Sequence, residues 1–209
     1  QLGTCPETAD CIGGLCVNPC QSDIKLNTNL GCDYYAVDLE NENNAKEPGE
    51  ITGAFAQFAV IVTNPNDSKP VTITVHQTHD APAFIEEELA PRSLRILTMG
   101  PRNVEGTQRG KLAWRLKGTR PFVAYQFNPL ANEDVFSNDA SILLPASGAG
   151  TEYRVMTLPH NPVFDAYPAY FSIVGVGGSN VEVTMNVTGS TSGGDDIPSL
   201  SAGQSHTFT

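Results

Sequence analysis

The stretch AFAQFAVIVTNPNDSKPVTITVHQ, residues 54–77, restricts this chain more than any other. Phe58, Val60 and Val62 alternate with Ala59, Ile61 and Thr63. Val71, Ile73 and Val75 alternate with Thr72, Thr74 and His76. A period of two puts successive side chains on opposite faces of a strand. Between the runs, NPNDSKP supplies Asn, Pro, Asp and Ser, which favour turns. Val, Ile and Thr suit a pleated, half-buried surface. The reading is strand, turn, strand. SLRILTM (93–99), KLAWRLKG (111–118) and PFVAYQFNP (121–129) continue the series as three more strands. Short strands separated by turn signals, with no sustained helical period, predict an all-β sandwich.

Further on, ASILLPA (140–146), EYRVMTLP (152–159), AYFSIVGV (169–176) and VEVTMNV (181–187) read as strands, and the chain ends in GQSHTFT. QFAVIVTNPNDSKPVTITV with the later LAPRSLRILT has the same plan as YFSIVGVGGSNVEVTMNV with the later LSAGQSHTFT, Val71 matching Val181. This weak internal repeat predicts two tandem β-sandwich-like units of similar plan. The first unit goes on into KLAWRLKG and PFVAYQFNP, whereas the second stops at Thr209. The expectation is an incomplete second unit with an open edge, completed by further chain or by a partner.

All five cysteines, Cys5, Cys11, Cys16, Cys20 and Cys32, lie in the first 32 residues. Such crowding is typical of a disulfide-stapled module in an oxidising compartment. There is no CxxC pair of the kind zinc sites favour. Four cysteines allow three connectivities, and the preferred one is interlaced, Cys5 with Cys16 and Cys11 with Cys20. The number is odd, so one cysteine, taken to be Cys32, is left free or pairs outside the chain. The expected organisation is a Cys-rich module over 1–32, a first β-sandwich-like unit over 33–137 and a second, incomplete one over 138–209.

Charge and length exclude several functions. With 23 acidic against 12 basic residues the net charge is −11, which repels phosphate backbones and disfavours anionic lipid. Nucleic acid is not an expected partner. No apolar run reaches the 18 residues or so that a spanning helix needs, so membrane insertion is not expected either.

GCDYYAVDL, AQFAVIVTNP, PFVAYQFNPL and SNDASILLPA, occurring in that order, resemble the N-terminal domain named for the IgG Fc-binding protein. The resemblance runs over roughly residues 31–209. Bacterial versions of that domain, notably from myxobacteria and their relatives, often follow Cys-rich repeats that look like CIGGLCVNPC. What the resemblance implies is a secreted or cell-surface, β-rich, non-catalytic module in adhesive or matrix-forming proteins. It carries over no Fc-binding motif residue by residue.

Candidate sites are few. HQTHD sets His76, His79 and Asp80 close together, but positions i and i+3 of a strand face opposite ways, so a strand end running into a solvated loop is the better reading. Two oxygen-rich clusters are calcium candidates: Asp38, Glu40 and Glu42 in DLENEN, and Asp134, Asn138 and Asp139 in the NEDVFSND cluster. Calcium wants several oxygens, but DLENEN lacks the glycine of a calcium loop, and the second cluster reads equally as a joint between units. Tyr34, Tyr35, Tyr125, Phe127, Tyr167, Tyr170 and Phe171 read as core aromatics rather than a sugar-stacking platform. No G-x-S-x-G elbow, GxGxxG or P-loop occurs, so no cofactor is expected apart from the calcium candidates. The function expected is an extracellular adhesion or macromolecule-binding module with protein or glycan surface ligands. The alternatives are a filament subunit, completed by strand addition from copies of itself, and a carbohydrate-binding or hydrolytic domain.

Overall fold

The computed structural model of the chain describes residues 5–6, 9–21, 28–42, 52–78, 81–133, 135, 138–158, 169–176 and 181–208. The described residues are all-β apart from one 3₁₀ turn, Ala146–Gly148. The main body holds β3 (Gly31–Ala36), β4 (Ala59–Thr63), β5 (Val71–His76), β6 (Ala83–Leu89), β7 (Leu94–Thr98), β8 (Trp114–Asn128) and β9 (Asp139–Ile142). It is preceded by the hairpin β1 (Asp10–Ile12) and β2 (Leu15–Val17), and followed by the pair β10 (Val183–Asn186) and β11 (Ser205–Phe208).

The 15-residue strand β8 organises the body. Its first half pairs with β3 and β5, from Trp114 opposite Ala36 to Gly118 opposite Ile73. Its second half pairs with β4 and β9, from Val123 opposite Thr63 to Asn128 opposite Asp139. With β6 on β5 and β7 on β4, the result is two antiparallel four-stranded sheets that share one strand, β6–β5–β8–β3 and β7–β4–β8–β9. They close over one core: Tyr34, Ile73, Val75, Trp114 and Leu116 from the first sheet meet Phe58, Val60, Val62, Leu97, Phe122 and Ala124 from the second.

The sequence runs KLAWRLKG and PFVAYQFNP, expected as two strands, are therefore one. Pro121 lies where β8 leaves one ladder and joins the other, so its missing N–H forfeits no ladder bond. Gly118 marks the crossing. A Cβ there would lie 2.6 Å from Cδ1 of Phe122 and 2.7 Å from the carbonyl oxygen of Arg120. Gly118→Ala is expected to cost about 2 kcal/mol by overpacking, read as a lower denaturant midpoint with unchanged m-value. An unchanged midpoint would show that β8 crosses between the sheets without needing a bare backbone at this point.

The strand β6 is absent from the sequence reading because Glu86, Glu87 and Glu88 mask the alternation in AFIEEEL. It is an edge strand carrying acidic side chains, a composition that discourages further strand pairing. In the C-terminal part, 152–158 and 169–176 form no strand, although both read as strands. The pairing that the repeat predicts, 170–176 with 181–187, is not among the described residues. β10 pairs with β11 instead, whereas β5, its expected counterpart, pairs with β6 and β8. Asp139–Ile142, assigned from the sequence to the unit 138–209, adds to the second sheet of the body as β9.

The cysteine pairing differs from the interlaced expectation in one bridge. Cys5–Cys16 is present, with Cα atoms 5.3 Å apart, and the second bridge is Cys20–Cys32, with Cα atoms 5.6 Å apart. Cys11 is the free, exposed thiol and Cys32 is not. The reason lies in the fold. Cys32 enters β3 beside Cys20, so their bridge ties the module to the first sheet, while Cys11 stands across the β1–β2 hairpin from the already bonded Cys16. A second tie is ionic. Asp10 bonds Nη1 of Arg120 at 2.6 Å and also pairs with Lys69, and Nη2 of Arg120 donates to the Ala9 carbonyl at 3.3 Å. Arg120 is only 3% exposed.

Candidate functional site

Two surfaces of the second sheet could meet a ligand. The first is a small polar crevice of about 100 Å³, lined among others by Glu40, Asn41, Asn128, Asp139 and Tyr170. It forms where the chain leaving β3 crosses the end of β8. Side-chain amides fix that crossing: Nδ2 of Asn128 donates to the Leu39 carbonyl at 2.6 Å, and Nδ2 of Asn41 donates to the Asn128 carbonyl at 3.2 Å. Oε1 of Gln126 accepts the Val37 N–H at 3.2 Å. The Tyr170 hydroxyl donates to the Glu40 carbonyl at 2.8 Å. Burial raises the pKa of this phenol, and the carboxylates of Glu40 and Asp139 raise it further, so Tyr170 is held as a neutral donor.

The structure divides the calcium candidates. Glu40 and Asp139 come together at the crevice. Asp38 points inward and is 5% exposed; burial pushes its carboxyl up to about 6, and the backbone N–H of Arg102 pulls the other way. Glu42 is held in the loop by its backbone, its N–H donating to Oδ1 of Asn41 at 2.7 Å and its carbonyl accepting the Ala54 N–H at 2.9 Å. Asn138 is exposed, and Asp134 lies outside the described residues. Among the described residues, no group of three or more His, Cys, Asp or Glu side chains is placed to hold a metal ion.

The histidines are likewise dispersed. Nδ1 of His76 bonds the Ala81 carbonyl at 2.8 Å and Nε2 bonds Oγ1 of Thr74 at 2.9 Å, which closes the turn after β5. His206 lies in β11 opposite Met185. His79, Asp80 and His160 are outside the described residues. Of the aromatics read as core, Tyr34 is fully buried, its ring 4.7 Å from that of Phe122 and its hydroxyl donating to the Asn29 carbonyl at 2.8 Å. Tyr125, Tyr170 and Phe171 are exposed. Tyr35 and Phe127 are half-buried, Tyr35 lying 5.8 Å from the Arg115 guanidinium, and Tyr167 is outside the described residues.

The second surface is the outer face of the same sheet. Its register sets Ile96 beside Ile61, Ile61 beside Tyr125, and Tyr125 beside Ile142, one residue from each of four adjacent strands. Ile96 is 47%, Tyr125 38% and Ile142 43% exposed. Leu94, 60% exposed, adjoins Thr63 and Val123 in the next row. The alternation that buries Val60, Val62 and Leu97 necessarily turns Ile61, Ile96 and Leu94 outward. Strands of a one-sided sheet normally put polar residues there, so an apolar row across all four strands departs from the usual pattern. The sequence held the signal: SLRILT and AVIVT are apolar at both parities. The row itself depends on register and is invisible without it.

Fold and surfaces define a disulfide-stapled, all-β module with an apolar row on the outer face of its second sheet. Residues 139–209 match the family model described as IgGFc binding protein. The match begins at the first residue of β9 and takes in Ile142, so SNDASILLPA falls largely within it, while the other three motifs that carry the resemblance lie upstream. No curated protein matches the chain. Among solved structures it is similar to the crystal structure of Thermotoga maritima 1070, with 15% identity over 56% of this chain and 97% of that one and a TM-score of 0.33; a superposition that loose carries no argument. No helix among the described residues is long and apolar enough to cross a membrane.

Proposed function

We propose that the chain is a non-catalytic, extracellular binding module that docks a folded protein through the outer face of its second sheet. The observation that carries this reading is the apolar row Ile96, Ile61, Tyr125 and Ile142, whose last member belongs to the segment matching the IgGFc binding protein family. Isoleucine flanks and a central tyrosine suit a protein surface, since interface cores favour aromatic residues and exclude charge. Two disulfides fit an oxidising compartment outside the cell.

A second reading, a filament subunit joined by strand addition, is favoured by one observation. The strand-like run 152–158 pairs with no strand among the described residues and exposes Tyr153, Val155, Met156 and Leu158. Such a run can add to a free sheet edge of a neighbouring copy. Carbohydrate binding or hydrolysis has no observation behind it beyond the polar crevice at Glu40, Asp139 and Tyr170.

The test is interferometry against immobilised immunoglobulin Fc, with sedimentation velocity over a hundredfold concentration range in parallel. A monomer that binds Fc, and whose double variant I96E/I142E binds at least tenfold more weakly with an unchanged melting temperature, supports the docking face. Equal binding by the variant places the contact elsewhere. Absence of Fc binding together with concentration-dependent polymers replaces this reading with the filament.

A further inference from the structure

A free cysteine and one half of a disulfide face each other across the N-terminal hairpin. Gly13 and Gly14 form its two-residue turn, with φ of 58° and 82°, the left-handed pair that a type I′ hairpin requires. Ile12 and Leu15 close the turn, and Cys11 stands directly opposite Cys16 one step further out. In an antiparallel ladder the pair next to the closing hydrogen-bonded pair is a non-hydrogen-bonded one, with Cα atoms about 4.5 Å apart and side chains on one face. That spacing falls at the short end of what a disulfide spans. Cys16 is already bonded to Cys5, and both Cys11 and Cys16 are exposed. The residue bearing the free thiol thus stands directly across the ladder from the exposed half of a disulfide, while the other bridge, Cys20–Cys32, lies outside the hairpin.

We propose that Cys11 is an exchange thiol that switches the module between two disulfide isomers. The Cys11 thiolate attacks Sγ of Cys16. The Cys11–Cys16 bond forms, the Cys5–Cys16 bond breaks, and Cys5 leaves as a thiolate that takes up a proton. One disulfide and one thiol are present before and after, so neither oxidant nor reductant is consumed. The product is a cross-strand bridge in the hairpin with the reactive thiol relocated to Cys5, outside it. The module can therefore offer a thiol from either place to a disulfide of another protein. Thiolate is the nucleophile in such exchange, so alkaline conditions speed it.

The full chain, purified without reductant, is held at pH 6.5, 7.5 and 8.5, quenched in acid at intervals and alkylated. Cleavage beside Glu7 and Asp10 then separates the labelled cysteines for mass spectrometry. The expected result is label passing from Cys11 to Cys5 at a rate that rises with pH and does not depend on protein concentration, none on Cys20 or Cys32, and none anywhere in C11S. A second variant, C5S, refolded in a glutathione buffer, is expected to close Cys11–Cys16 and show no free thiol. Label confined to Cys11 at every pH, label spreading to Cys20 or Cys32, a concentration-dependent rate, or two free thiols in C5S would each overturn the proposal.

Discussion

Asp10→Ala is expected to destabilise the folded chain by about 2 kcal/mol, the usual worth of a hydrogen bond to a charged group, since Arg120 keeps its bond to the Ala9 carbonyl. The partner left behind decides this magnitude. Arg120 is 3% exposed in the bend of β8, and its guanidinium meets the Asp10 carboxylate at 2.6 Å. Lys69, the other cation on Asp10, is half-exposed, and Lys69→Met should cost below about 1 kcal/mol. Denaturant unfolding measures both. If the loss arises from the charge that Arg120 buries, then Asp10→Ala with Arg120→Met is more stable than Asp10→Ala alone. A double variant worse than the single would show that packing of the Arg120 stem, rather than its charge, holds the module. The bonds from Lys69 and Arg120 hold the Asp10 carboxyl below its ordinary value of 3.8. A depressed folded-state value contributes stability above the unfolded value and loses it as pH falls through the folded one. Acid below about pH 3.8 should therefore loosen the β1–β2 hairpin from the sheets, seen as faster amide exchange in Asp10–Val17.

Asp38→Asn is expected to act in the opposite direction. Burial raises the Asp38 carboxyl from 3.8 to about 6, so between those values the folded state holds a proton that the unfolded chain has lost. Stability falls as pH rises across that window and stays lower above it. Asparagine keeps the oxygen that accepts the Arg102 N–H and carries no charge to bury. The variant should be more stable than the parent at pH 7.5, by up to about 3 kcal/mol, and indistinguishable from it near pH 4. Thermal melts of both chains from pH 4 to 7.5 measure the difference. A variant less stable than the parent at pH 7.5 would mean that the ionised carboxylate is stabilised in place and that its burial costs nothing. The two windows do not overlap, so the acid loosening at Asp10 and the neutral-pH cost at Asp38 can be read in one titration.

Alternation alone located β4, β5, β7 and both halves of β8, because a strand buried on one face must repeat every two residues, and Val60, Val62, Ile73 and Val75 do so without interruption. Crowding of five cysteines in 32 residues was equally legible, and so was the Cys5–Cys16 bridge. The Cys20–Cys32 bridge was not, because disulfides follow distance in space, and Cys32 reaches Cys20 only once β3 has joined the first sheet. β6 escaped because an edge strand needs only Ile85 and Leu89 to face inward, which frees Glu86, Glu87 and Glu88 to read as loop.

The candidate surfaces belong to the same division. Asp38, Glu40, Asn138 and Asp139 are acidic or polar in any reading, but whether a carboxylate is buried, shared with a tyrosine or solvated is fixed by which loops cross, and only Glu40 and Asp139 converge. Ile61, Ile96, Tyr125 and Ile142 are scattered over 82 positions of the chain and carry no mutual signal along it. Local period and composition carry β4, β5, β7, both halves of β8 and a stapled N-terminus. Which sulfurs bond, where the core ends and which apolar residues share a face depend on strand register, which non-local hydrogen bonds set.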